Sequence, residues 1–141
     1  MKIIGTLVIV LALLIGIVPQ FTDCQSQGRE LTLADGRKIP MKCHWTARAE
    51  LGLAIPLLMT GVVMTASKRK ELLRGLSVVS STLGLVAVLL PTALIGVCGN
   101  PDMVCNSTMR PFLTLAGAVV LVLGIVGVVR SMTQKDEDAM A

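Results

Sequence analysis

Four cysteines, Cys24, Cys43, Cys98 and Cys105, are the residues of this chain best suited to chemistry. In pairs, thiols brace a fold as disulfides, exchange disulfides with other proteins, or hold a soft metal. The chain's one histidine, His44, stands beside Cys43, and Glu50 follows six residues later. A histidine next to a thiol can ligate a metal, carry a proton or simply sit at a surface. Met41, Met103 and Met109 flank the same segments and add soft sulfur donors. Neither the Cys/His spacing nor the Met spacing forms a recognised metal motif. Cys43 and His44 therefore stand only as candidate ligands, and the four cysteines as candidate redox groups.

The elements that position these residues follow from composition. The chain has 141 residues, 53% of them hydrophobic and 16% charged, against about 25% charged in an ordinary soluble domain. The apolar residues fall into four uncharged runs at 3–21, 51–67, 75–97 and 111–129. A helix rises about 1.5 Å per residue, so crossing a hydrocarbon core of about 30 Å takes roughly 17–25 residues. Lipid offers the backbone no partners, which selects helices for such runs. The expected fold is all-α: a four-transmembrane-helix bundle with a small extracytoplasmic β-hairpin loop, forming a single membrane domain over 1–141. The first run follows Lys2 as a signal peptide would, but no small-x-small cleavage site ends it, and it is read as an uncleaved helix.

Four crossings place both termini on one side. Lys68, Arg69, Lys70 and Arg74 crowd the short loop 68–74, and Lys2, Arg130 and Lys135 join them on that side. Short loops dense in Lys and Arg stay cytoplasmic. The expectation is a multi-pass protein of the cytoplasmic membrane with both termini and the tail 130–141 inside, and with loops 22–50 and 98–110 outside. The net charge of +4 is then mainly a topology signal. Two Phe, one Trp and no Tyr leave nothing for bases to stack on, so no nucleic-acid partner is expected.

That topology puts all four thiols in one oxidising compartment. The simplest pairing joins neighbours, Cys24 with Cys43 and Cys98 with Cys105, while a cross-loop pairing stays open among three connectivities. In the first outer loop, residues 30–41 alternate around Asp35-Gly36. A three-residue turn over 34–36 pairs Leu31 with Ile39 and gathers Leu31, Leu33, Ile39, Met41 and Cys43 on one face. In the cluster 43–50, Thr46 is placed to cap the second helix, Trp45 suits the headgroup belt, and Glu50 suits the helix dipole. His44, Trp45 and Glu50 are the candidate binding residues. Ser77, Ser80, Ser81 and Gly84 mark one face of the third helix, and Gly117 and Gly124 one face of the fourth, as close packing requires. No ionisable residue falls deep in the expected spans, Glu50 at an edge being nearest, which argues against a self-sufficient transporter or pump.

Residues 41–50 (Met-Lys-Cys-His-Trp-Thr-Ala-Arg-Ala-Glu), with Ile95-Gly96-Val97-Cys98 and Met103-Val104-Cys105-Asn106 ahead of Pro111, resemble an uncharacterised family of small four-span proteins of bacteria and archaea. That family carries a domain-of-unknown-function label. The resemblance implies the four-span architecture and a place beside ABC transporters with large extracytoplasmic permease domains, and it assigns no catalytic residue. Together these readings lead to a non-enzymatic accessory or scaffold subunit. Its disulfide-braced outer loops would dock on a larger membrane complex, with an ABC transporter permease as the named candidate and no cofactor. The chain is also similar in outline to quinone-coupled disulfide-forming membrane oxidases, which gives a thiol–disulfide oxidoreductase as the alternative. Their first cysteine pair is a close C-x-x-C, whereas here 18 residues separate Cys24 from Cys43 and six separate Cys98 from Cys105. An extracytoplasmic metal-binding protein is the third reading.

Overall fold

Apolar runs that lipid leaves without hydrogen-bond partners satisfy their own backbones as helices. The computed structural model describes residues 1–23, Gly28, 31–39 and 41–133, and in these four long helices dominate. They are α1 (Lys2–Thr22), α2 (Lys42–Ala66), α3 (Lys70–Leu89) and α4 (Arg110–Thr133). A π-helical turn (Leu90–Leu94) extends α3, and another (Cys105–Met109) leads into α4. Each of the four spans is long and apolar enough to cross a membrane. By helix length and composition, this is a multi-pass membrane protein.

The first and last spans lie close to the expected bounds, but α2 starts nine residues before residue 51. The segment expected as loop is two and a half turns of helix. Its pattern explains why: Cys43, Thr46, Ala47 and Glu50 are buried, while Lys42, Trp45 and Arg48 face out. Residues spaced by three and four share a helix face, so the polar residues go outward without breaking the helix. The cap also differs from expectation. Met41 is the N-cap residue, with no side-chain cap bond, and Thr46 lies a full turn inside.

The bundle is built from two helical hairpins. α1 packs chiefly on α2 and α3 chiefly on α4, with lighter contact between the pairs. Glycine sets each crossing. A Cβ added at Gly5 would stand 3.1 Å from the Gly61 carbonyl oxygen, and one added at Gly61 would stand 3.1 Å from that of Gly5. In the second pair, a Cβ on Gly84 would lie 2.6 Å from the Leu121 nitrogen, and one on Gly124 would lie 2.7 Å from the Ser81 nitrogen. The small-residue faces read from the sequence on α3 and α4 are therefore the faces that meet. Backbones this close gain dispersion contacts that lipid tails cannot supply. Around them Val8, Ile15, Leu57, Met64, Leu113 and Val120 form the buried core.

Between α1 and α2, β1 (Leu31–Thr32) pairs antiparallel with β2 (Lys38–Ile39), with Leu31 opposite Ile39. Gly36 takes φ +80° in the turn, and its N–H donates to the Leu33 carbonyl at 2.9 Å. Among the described residues, two pair on each strand. Met41 and Cys43, expected on the apolar face of the hairpin, belong instead to the start of α2. Leu33 and Ile39 remain 43% and 42% exposed.

Overpacking a close helix crossing costs about 1–3 kcal/mol. Gly84→Leu is expected to lower the thermal unfolding midpoint in detergent by that much, because the nearest atoms are backbone. Gly52→Leu, with nothing within 4 Å of its added Cβ, is expected to leave the midpoint unchanged or raise it.

Candidate functional site

The chemistry gathers at one end of the bundle, where α1 ends, α2 begins, and the two π-helical turns meet them. Proline starts the construction. Pro91 has no N–H to continue the α pattern, and the chain widens there into a π turn. The turn closes with the N–H groups of Ile95 and Gly96 both donating to the Leu90 carbonyl, at 3.1 and 3.0 Å. Gly96, at φ +78°, then turns the chain out of the helix. Its carbonyl accepts from Thr46 Oγ1 at 2.8 Å, so the loop after α3 is tied to the second turn of α2. Pro111 acts similarly at the head of α4, where the Arg110 N–H reaches back to the Cys105 carbonyl across the second π turn.

This tie brings Cys98 onto the N-terminus of α2. The sulfurs of Cys98 and Cys43 lie 3.6 Å apart, and the Cys98 sulfur lies 3.7 Å from the Met41 thioether. Cys43 is fully buried, as the second residue of α2. A cleft of about 350 Å³ opens beside the three sulfurs, lined by Met41, Lys42, Val97, Cys98 and Met103 among others. The Cys105 thiol, also buried, points at the Thr22 carbonyl at 3.6 Å. No two cysteines among the described residues stand at disulfide distance. Cys24, and with it the expected Cys24–Cys43 pairing, lies outside the described residues.

His44 turns away from its neighbouring thiol. Its Nδ1 lies 3.1 Å from Asp23 Oδ2, and this pair ties the end of α1 to the first turn of α2. Gln20 strengthens the same seam by donating from Nε2 to the Ala47 carbonyl at 2.9 Å. Trp45 packs edge-on to His44, with ring centroids 6.0 Å apart, and is otherwise 58% exposed. Among the described residues no three of His, Cys, Asp and Glu converge in a metal-binding group.

Glu50 departs most from the sequence reading. It lies not at the edge of a span but two turns inside α2, on the face that carries Cys43, and is 0% exposed. Neither carboxyl oxygen has a hydrogen-bond partner among the described residues. A carboxyl left so costs free energy that neighbouring packing must offset. Ionisable groups held this way inside a membrane bundle commonly mark function.

A family described as a domain of unknown function, DUF4418, matches residues 3–130. The chain belongs to the DUF4418 family. No curated protein and no solved structure matches it. The family description names no reaction, so for this DUF4418 chain function has to be read from the site. Asp23, Gln20 and Gly96 hold that site together, and none was singled out from sequence as a partner. The burial of Glu50 did leave a signal: Cys43, Thr46, Ala47, Glu50, Ala54 and Leu57 keep helical spacing straight through the expected boundary at 51. The meeting of Cys43 with Cys98 is one of the cross-loop pairs the sequence leaves open, and nothing local singles it out across 55 positions.

Two substitutions separate the structural ties from the carboxyl. Thr46→Val removes a hydrogen bond and strands the Gly96 carbonyl, and is expected to cost about 1 kcal/mol in detergent unfolding. Glu50→Met replaces an unpartnered polar group with an apolar one of similar size, and is expected to stabilise by about 1–3 kcal/mol. A loss of stability in Glu50→Met would mean that the carboxyl is structurally paired.

Proposed function

We propose that this protein is an integral membrane subunit whose cysteine end faces out of the cytoplasmic membrane and docks on a larger complex. The observation that carries this reading is the contact between Cys43 and Cys98. It holds the start of α2 and the loop after α3, from opposite helical hairpins, at one point, as a docking surface needs. The Thr46–Gly96 and His44–Asp23 ties stiffen the same end. The hairpin exposes Leu33 and Ile39, and Trp45 is exposed at the start of α2. Exposed aromatic and aliphatic groups on a rigid base are what an interface recruits. The resemblance described above supports one candidate partner, the extracytoplasmic domain of an ABC transporter permease. In the outer compartment, oxidation would convert the Cys43–Cys98 contact into a covalent brace, two thiols losing two electrons and two protons to a disulfide of another protein.

The same contact favours a second reading, thiol–disulfide exchange. Cys43 sits in the first turn of α2 with its sulfur 3.6 Å from that of Cys98. A thiolate this close to a second sulfur can resolve a mixed disulfide.

A photo-crosslinking residue at Leu33 or Ile39, introduced in cells, is expected to yield one dominant adduct with a permease, while the same residue at lipid-facing Val78 yields none. Absence of a hairpin adduct would contradict docking. Alkylation with a mass tag in the same cells separates the second reading: mixed disulfides through Cys43 support exchange, and cysteines that stay fully oxidised and inert support the brace.

A further inference from the structure

We infer that the reduced protein binds one monovalent copper ion at Met41, Cys43 and Cys98. The Cys98 sulfur stands at the centre of this group, 3.6 Å from the Cys43 sulfur and 3.7 Å from the Met41 thioether. With metal–sulfur bonds of about 2.3 Å, as in zinc thiolates, sulfurs at these separations subtend roughly 105° at a shared ion. That angle suits three- or four-coordinate geometry, so Cys98 already stands at ligating separation from both Cys43 and Met41. Met103 lines the same cleft and can supply a fourth sulfur.

The donor set selects the metal. Two thiolates with one or two thioethers are soft ligands, and thioether sulfur favours copper(I) over zinc, which prefers imidazole, carboxylate or a full set of thiolates. The surroundings suit the charge. Two thiolates and one Cu⁺ leave a net −1. The N-terminal dipole of α2, which starts at Lys42, offsets it, as does the Lys42 side chain on the cleft. The cleft of about 350 Å³ gives an ion a route in from the surface. His44 and Met109, the other donors suggested by sequence, fall outside the group: His44 is engaged with Asp23, and Met109 is fully buried. Binding displaces two thiol protons and changes no oxidation state, since the ion enters as Cu⁺. The inference is independent of what docks on the hairpin and concerns the dithiol state alone, since the disulfide-braced state uses the same two sulfurs and leaves none to ligate.

The test titrates the full-length, reduced protein in detergent with Cu(I), anaerobically, against a chromophoric Cu(I) chelator. One equivalent is expected to bind, with X-ray absorption showing a sulfur-only shell at about 2.3 Å. Outer-shell changes alone cost roughly 10–100-fold in metal affinity, so Cys98→Ser is expected to weaken binding by about 100-fold or more. Met41→Leu should weaken binding by about tenfold, while His44→Ala and Cys105→Ser leave it unchanged. Circular dichroism of each variant establishes that the fold is retained. Wild-type affinity in Cys98→Ser, a nitrogen in the shell, or a loss confined to His44→Ala would overturn the assignment. Equal retention of Zn(II), independent of Met41, would overturn the choice of metal.

Discussion

Inside hydrocarbon, helices gain little by hiding apolar side chains from one another, because lipid tails are equally apolar. Association then depends on how closely two backbones can approach, and in this protein that approach is set by glycine. Gly5 and Gly61 face each other across α1 and α2, and Gly84, Gly117 and Gly124 line the seam between α3 and α4. The two helical hairpins follow from these seams, and the position of every loop follows from the hairpins. The cysteine end is a consequence: once both pairs are zipped, the start of α2 and the loop after α3 stand side by side.

That end combines rigidity with unspent chemistry. Prolines at 91 and 111 widen the adjoining turns, a left-handed glycine at 96 redirects the chain, and a single threonine hydroxyl ties the result to α2. The outcome is a buried thiol, a second thiol and a thioether in contact, beside an open cleft. Beneath them on the same helix face lies a carboxyl without a partner among the described residues. A scaffold alone has no need of such a carboxyl, since an apolar residue would pack there at lower cost. Its retention agrees with an end that does more than hold two helices together.

Much of this architecture was legible in the sequence, for physical reasons that differ by element. The four spans were readable because lipid imposes a length on any uncharged run. The α3–α4 seam was readable because small residues at helical spacing have few other uses in a membrane. The start of α2 is not marked by its uncharged apolar run, which begins only at residue 51. Lys42, Trp45 and Arg48 in fact occupy its outward face while Cys43, Thr46 and Glu50 keep the inward period. Sequence alone does not single out the partners His44–Asp23 and Cys43–Cys98, the latter one of the cross-loop pairs it leaves open. The first depends on where α1 stops, and the second joins residues from different helical hairpins, which no local pattern encodes.

The chemistry of this end depends on one contact, between the sulfurs of Cys43 at the start of α2 and Cys98 in the loop after α3. It is tested most directly by oxidising membranes that hold a Cys24→Ser, Cys105→Ser variant, then mapping the disulfides by mass spectrometry. The account predicts rapid, intramolecular formation of one linked peptide pair, Cys43 with Cys98. Recovery of both thiols in alkylatable form after oxidation, or linkage only between separate molecules, would contradict it.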